Sequence, residues 1–241
     1  MKQWQSKNGY KIFQVLTGRS NSYLITDGKV NVLVDTGKES AYDRLLKNID
    51  SLGLTQKKIS LLILTHTHYD HCQNAFRIRE HDQCRILMGK KERRFAESGY
   101  TPLPDGTFLI TRLISGIGKK IGRLKFGYHP FTPDLLVDNE MEWVQGSFRI
   151  KVIITDGHSD GSISVIVDDE IVIVGDEMMG VYKNSIFPPF ADNTEMMIRN
   201  WGKLLNTKGN LFLPGHGKAI TRELLQKEYT KYAQKHKLFV H

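Results

Sequence analysis

Short apolar runs that end abruptly in small or glycine-containing turns recur along this chain, alternating with stretches whose apolar residues fall at helical spacing. Three runs come first, over 11–17, 22–26 and 30–35, separated by Gly18 to Asn21 and by the hairpin-favouring pair Asp27-Gly28. Residues 39–52 then carry Ala41, Leu45, Leu46, Ile49 and Leu52 on one helical face before Gly53 stops it. The run 59–64 is almost continuously apolar, the pattern of a strand covered on both faces. A helix over 71–80, a strand over 84–88 and a short charged helix over 90–98 follow. This β-α-β-α alternation predicts an α/β fold with helices packed outside sheets.

Between 99 and 139 the periodicity weakens. Pro102, Pro104, Pro130, Pro133 and six glycines make this the least regular part of the chain, which reads as an inserted cap or hairpin. Order returns after Glu140, with strands over 148–155, 163–167 and 171–174. A loop over 178–193, rich in aromatic residues and proline, leads to a helix over 194–205 that places Met197, Ile198, Trp201 and Leu205 on one face. A short strand over 211–213 precedes a closing helix over 221–236, capped by Thr221.

Composition changes this picture little. With 241 residues, 40% hydrophobic and 25% charged, and no linker-like segment, the chain is expected to form one domain, 1–241, with the insertion at about 99–139. Its first residues lack the apolar core of a signal peptide and no run approaches bilayer length, so a cytoplasmic protein without membrane contact is expected. Two cysteines, Cys72 and Cys84, fit a reducing compartment, and Cys72 reads as a buried structural thiol. The net charge of +8 is spread widely and does not indicate nucleic-acid binding. It does concentrate locally. From Gly106 to Pro133 there is no acidic residue, while Arg112, Lys119, Lys120, Arg123 and Lys125 supply five cations, a solvated face or an attractor for an anionic substrate.

Candidate chemistry lies at the strand ends. The run 59–64 breaks into His66-Thr67-His68-Tyr69-Asp70-His71. In an extended segment His66 and His68 point the same way and can grip one ion, whereas Asp70 and His71 follow the bend and face elsewhere. If both sets bind, one loop feeds two neighbouring metals. Later runs end in Asp156-Gly157-His158, Gly175-Asp176 and Pro214-Gly215-His216-Gly217. Strand ends at one sheet edge converge, so His66, His68, His71, His158 and His216, with Asp70 and Asp176, suffice for two metal ions. His81, His129, His236 and His241 lie in helical, loop or tail segments and are given no role. Asp35, at another strand end, is either a partner that fixes a ligand histidine or a structural turn. Tyr69, Tyr182, Phe187 and Phe190 are pocket candidates only.

The order and spacing of these motifs, from Val34-Asp35-Thr36-Gly37 to Pro214-Gly215-His216-Gly217, resemble the metallo-β-lactamase superfamily over nearly the whole chain. The resemblance implies a four-layer αββα sandwich with metals at the edge shared by two sheets. Carried over residue by residue, it implies a first metal held by His66, His68 and His158, and a second by Asp70, His71 and His216. Asp176 would bridge both. The bridging aspartate resembles the glyoxalase II, lactonase and phosphodiesterase branches, whereas true β-lactamases lack it. Asp156 and Asp160 depart from the commoner Pro-Gly-His-Thr-Pro-Gly pattern, which alters loop stiffness and not ligation.

Two cations about 3.5–4 Å apart can share a hydroxide at neutral pH and polarise a carbonyl or phosphoryl oxygen. The expected activity is therefore dinuclear metal-dependent hydrolysis of a small ester, thioester or lactone, with Asp70 orienting the hydroxide. Zinc is the expected metal, with iron or manganese as alternatives. A phosphodiesterase or nuclease and an iron-dependent oxidoreductase are the competing readings. The expected partner is a small-molecule substrate, an anionic one if the basic segment overhangs the site, and a hairpin in 99–139 is one route to a homodimer.

Overall fold

In the computed structural model, which describes residues 1–54 and 58–238, two mixed β-sheets lie face to face. The first contains β1 (Gln3–Gln5), β2 (Lys11–Leu16), β3 (Ser22–Thr26), β4 (Asn31–Val34), β5 (Ile59–Leu64), β6 (Arg85–Gly89) and β7 (Leu135–Val137), in that spatial order. Strands β1 to β4 form an antiparallel meander, and β4 to β7 run parallel because helical crossovers join them. The crossovers contain α1 (Tyr42–Asp50), α2 (Tyr69–Cys72), α3 (Ala75–Asp82), α4 (Arg93–Ser98) and α5 (Leu109–Phe126).

The second sheet begins with a meander of β8 (Glu140–Gln145), β9 (Phe148–Ile154), β10 (Ile163–Val167) and β11 (Ile171–Gly175). A crossover through α6 (Thr194–Leu205) then sets β12 (Leu211–Pro214) parallel to β11. Strand β13 (Ile220–Thr221) closes that edge, and α7 (Arg222–Lys235) packs beside α6.

Three apolar layers hold the sandwich together, and each follows from strand alternation. Ile12, Val32, Leu61 and Ile63 of the first sheet meet Val152, Val165 and Ile173 of the second in a central core. Their neighbours Leu24, Leu33, Leu62 and Leu64 point outward and pack under Leu45 and Ile49 of α1 and Ile78 of α3. On the far side, Ile166, Val172 and Val174 are covered by Met197, Ile198 and Trp201 of α6 and Leu225 of α7. The expected αββα order is the observed one. Strands such as Ile59–Leu64 read as continuous apolar runs because each carries a buried face to two layers.

The structure corrects several boundaries. The helix read over 71–80 starts at Tyr69 and is broken into α2 and α3, so Asp70 and His71 stand on a helical turn. The segment 99–139 is not irregular throughout, since α5 runs for 18 residues within it. Its periodicity is hidden because Ser115, Gly118 and Gly122 are buried while Leu109, Ile110, Leu113 and Leu124 lie outside. Strands β1, β7, β8 and β13 are further elements that short or mixed patterns did not reveal. His241 lies outside the described residues. Among the described residues no helix is long and apolar enough to cross a membrane.

The two sheets are joined at one edge through main-chain hydrogen bonds between strand-end loops. The amide of Ile163 donates to the carbonyl of Thr65 at 2.9 Å, and that of Asn21 to Gly215 at 2.7 Å. Tyr23 Oη donates to the Pro214 carbonyl at 2.7 Å. The chemistry-bearing turns after β4, β5, β9, β11 and β12 all open onto this edge.

Candidate metal centre

His66 and His68 follow β5 on an extended stretch, and their side chains turn toward His158 in the turn after β9. His158 Nε2 lies 3.0 Å from His68 Nδ1. Asp70 and His71, on α2, instead face His216 after β12, with His71 Nε2 3.3 Å from His216 Nε2. Between these groups stands Asp176, at the end of β11. Its Oδ2 lies 3.1 Å from His216 Nε2 and 3.6 Å from His158 Nε2, and its Oδ1 lies 3.4 Å from His71 Nε2. All seven residues singled out by the motifs are brought together, and six of them are buried.

The donor set fits metal ions on chemical grounds. Ligand nitrogens about 2.0–2.1 Å from a tetrahedral ion sit roughly 3.4 Å apart, and the separations here straddle that value. His66 Nε2 and Asp176 Oδ1 are buried without a hydrogen-bond partner, a costly arrangement unless something else binds them. Burial pushes His66 well below the ordinary imidazole range, helped by its histidine neighbours, and pushes His68 and His158 down to about 4. Those rings stay neutral and keep a lone pair to donate. Burial also works against a charge on His71 and His216, but Asp176 outweighs it and raises both. The same pairing holds Asp176 well below the carboxylate range against its own desolvation.

Residues behind the cluster fix its geometry. Asp35, at φ 59°, resolves the choice left open by the sequence, because its Oδ2 lies 2.9 Å from His71 Nδ1. The same carboxyl accepts hydrogen bonds from the amide and hydroxyl of Thr65, both at 2.8 Å, so one side chain spans two strand ends. Nδ1 of His158 lies 3.0 Å from the Phe190 carbonyl. Cys72 is buried and directs its thiol to the Thr67 carbonyl at 3.1 Å, the structural role expected of it.

Glu92 is the positioning residue that the sequence concealed. It sits fully buried after β6, where one oxygen accepts from the amide and hydroxyl of Thr67. The other accepts from Ser159 Oγ at 2.8 Å and the Gly161 amide at 3.2 Å. It therefore ties the loop of His66 and His68 to the loop of His158. The signal was faint, one Glu in the charged stretch from Lys90 to Glu97, where a solvated face is the ordinary expectation.

Above the cluster opens a cavity of about 320 Å³ whose floor includes His68, Asp70, His158, Asp176 and His216. Its walls are largely apolar, with Leu103, Ile114, Phe126 and Phe190 among them. Tyr69 and Phe190 line it as the sequence suggested. Phe187 instead packs beneath the loop against Trp201 and Tyr232, and Tyr182 is exposed away from it. Arg19, which no motif marks, stands at the rim with Nε 3.4 Å from Asp70 Oδ2 and Nη2 2.6 Å from Tyr69 Oη. His81 is exposed beside Asp82, and His129 stacks on Phe76, so neither joins the centre.

Comparison with known proteins agrees with this arrangement. The family model described as "Metallo-beta-lactamase superfamily" matches residues 15–216. A "probable metallo-hydrolase" of Methanocaldococcus jannaschii is 29% identical over 203 residues, covering 82% of this chain and 87% of the relative. A hydroxyacylglutathione hydrolase of Haemophilus influenzae is 24% identical over 220 residues, covering 88% of this chain and 92% of its own. Among solved structures, a subclass B3 metallo-beta-lactamase of Bradyrhizobium japonicum superposes with a TM-score of 0.69 at 18% identity, covering 95% of this chain and 89% of that one. That likeness establishes the shared fold.

Proposed function

The chain belongs to the metallo-beta-lactamase superfamily, and from that premise we propose that it is a dinuclear metal-dependent hydrolase of a small ester, thioester or lactone. His66, His68 and His158 would hold one ion, Asp70, His71 and His216 the other, and Asp176 both. The observation that carries this reading is the Asp176 carboxylate, whose Oδ2 faces His158 of the first group and His216 of the second. Divalent ions bound there, zinc with iron or manganese as alternatives, would supply Lewis acidity, making water acidic enough to attack near neutral pH and polarising a carbonyl.

The protein's own groups do the rest. Asp70 presents its carboxylate to the cavity floor between His216 and Arg19, where it can accept a hydrogen bond from the attacking water and orient it. Asp35 holds the His71 ring, Glu92 ties the loop of His66 and His68 to that of His158, and neither lines the cavity. The apolar walls suit an acyl group and exclude bulk water, while Arg19 at the rim can receive an anionic portion of the substrate. A hydroxyacylglutathione hydrolase among the relatives supports the thioester in particular.

The test is metal content and turnover measured together on the purified chain, against thioesters, lactones, phosphodiesters and a β-lactam. His68→Ala and Asp176→Ala serve as controls. The expected result is about two ions per chain and metal-dependent cleavage of a thioester, ester or lactone that both variants lose. One iron per chain with oxygen consumption and no hydrolysis would replace this reading with a redox one, and cleavage confined to phosphodiesters would move the substrate class.

A further inference from the structure

Helix α5 is turned inside out relative to an ordinary surface helix. Leu109 is 83% exposed, Ile110 75%, Leu113 68% and Leu124 98%, and Ile114 and Ile117 are about half exposed. Successive residues advance about 100° around a helix, which gathers these six side chains into one continuous arc. On the opposite side Ser115, Gly118 and Gly122 are buried. Ser115 Oγ donates to the Pro104 carbonyl at 2.7 Å, and a Cβ added to Gly118 or Gly122 would run into Leu103 or Tyr100. The helix is thus seated through its small residues, and its large apolar face cannot turn inward without giving up that seat.

Charge selects what covers this face. Lys125 projects just past one margin of the apolar arc and Lys120 just inside the other, beside Leu109; both are exposed, and Arg112 and Lys119 lie beyond Leu109. Among the described residues neither Lys120 nor Lys125 has an acidic partner, and the stretch from Gly106 to Pro133 contains no acid at all. A second copy meeting this face would bring two such cationic rims together in a chain that already carries +8. An anionic surface with an apolar interior satisfies both features.

We propose that α5 is a docking helix for an anionic lipid surface, lying in its plane with the Leu109, Ile110, Leu113, Ile117 and Leu124 side chains inserted and the flanking lysines on the headgroups. The sequence expectation of no membrane contact rests on the absence of a spanning run, and a helix lying along a surface needs none. Ile114, at the edge of the same arc, also lines the cavity above the metal cluster, so the lipid surface would lie against the cavity rim. The docking itself does not depend on the hydrolase reading.

The experiment is co-sedimentation of the full chain with vesicles of phosphatidylcholine alone and of phosphatidylcholine mixed with phosphatidylglycerol, at low and high salt. Sedimentation velocity and circular dichroism accompany it. Binding at least about tenfold stronger to the anionic vesicles, and weakened by salt, is expected. Leu113→Ser with Ile117→Ser should abolish it, and Lys120→Glu with Lys125→Glu should weaken it on anionic vesicles, with helix content unchanged in both. Absence of binding to either vesicle, or equal binding to both, overturns the proposal. So does a dimer that the apolar double variant turns into monomer, which would assign the face to a second copy.

Discussion

Glu92 concentrates the energetics of the site into one side chain. Four donors from two loops converge on its two oxygens, with no exposure to water. Glu92→Gln replaces one oxygen with an amide NH2 group. The hydroxyl of Thr67 or Ser159 can rotate to accept from that group, but a backbone amide, of Thr67 or Gly161, is left facing a donor. An unpaired buried donor costs about 1–3 kcal/mol, and partners behind metal ligands are worth roughly 10–100-fold in metal affinity. Chelator competition should therefore show weaker metal retention in Glu92→Gln, beyond what the lower melting temperature of its metal-free form explains. A variant that melts earlier yet binds metal as tightly as the parent would reduce Glu92 to packing. Gly215 shows a second constraint at this scale. A Cβ there would fall on Asp176 Oδ1 and lie 2.7 Å from His71 Cε1, so Gly215→Ala should displace candidate ligands and lower metal stoichiometry with every candidate ligand residue still in place.

At the scale of elements, α6 acts as a buttress for the His158 turn. Its first turn abuts Gly157, which holds φ +137° and has Met197 N within 2.5 Å of where a Cβ would be. The amide of Asn193 donates to the Gly157 carbonyl at 2.8 Å, and Asn193 Oδ1 accepts from the Met196 amide at 3.0 Å to cap the helix. Losing such a cap costs about 1 kcal/mol, or roughly 2–4 °C in a chain of this size. Asn193→Ala should show that drop in thermal unfolding and weaken metal retention at the His158 side, whereas a melting temperature unchanged from the parent would mean the cap is not felt. The elements also explain what the sequence could and could not reveal. The cluster was legible because each candidate ligand follows a buried strand, where an apolar run breaking into His or Asp has few other causes. Helix α5 was not, because its Gly118 and Gly122 face the protein while Leu109, Ile110, Leu113 and Leu124 face out, the reverse of the usual stripe. Arg19 and Glu92 were hidden for a related reason. Each is one charge among many along the chain, and only the folding of distant loops onto it gives it a partner.

At the scale of the molecule, the candidate ligands are divided between the two halves of the sandwich. His66, His68, Asp70 and His71 leave the first sheet, and His158, Asp176 and His216 leave the second. The sheets share an apolar core of their own, so the fold is expected to form without metal. Metal would act as a clamp at the open edge, binding the native arrangement and not the unfolded chain. A ligand at 100 times its dissociation constant then stabilises by about 2.7 kcal/mol, which corresponds to roughly 5–11 °C for a chain of this length. Exhaustive chelation should lower the melting temperature by that order and leave the far-ultraviolet dichroism intact at room temperature. His68→Ala, which removes a ligand from the first sheet alone, should leave a smaller chelation-sensitive difference than the parent. The comparison separates a clamp from a bystander. If chelation leaves the parent's melting temperature unchanged, the apolar core and the loop hydrogen bonds hold the sheets without help, and any bound ion contributes to chemistry alone.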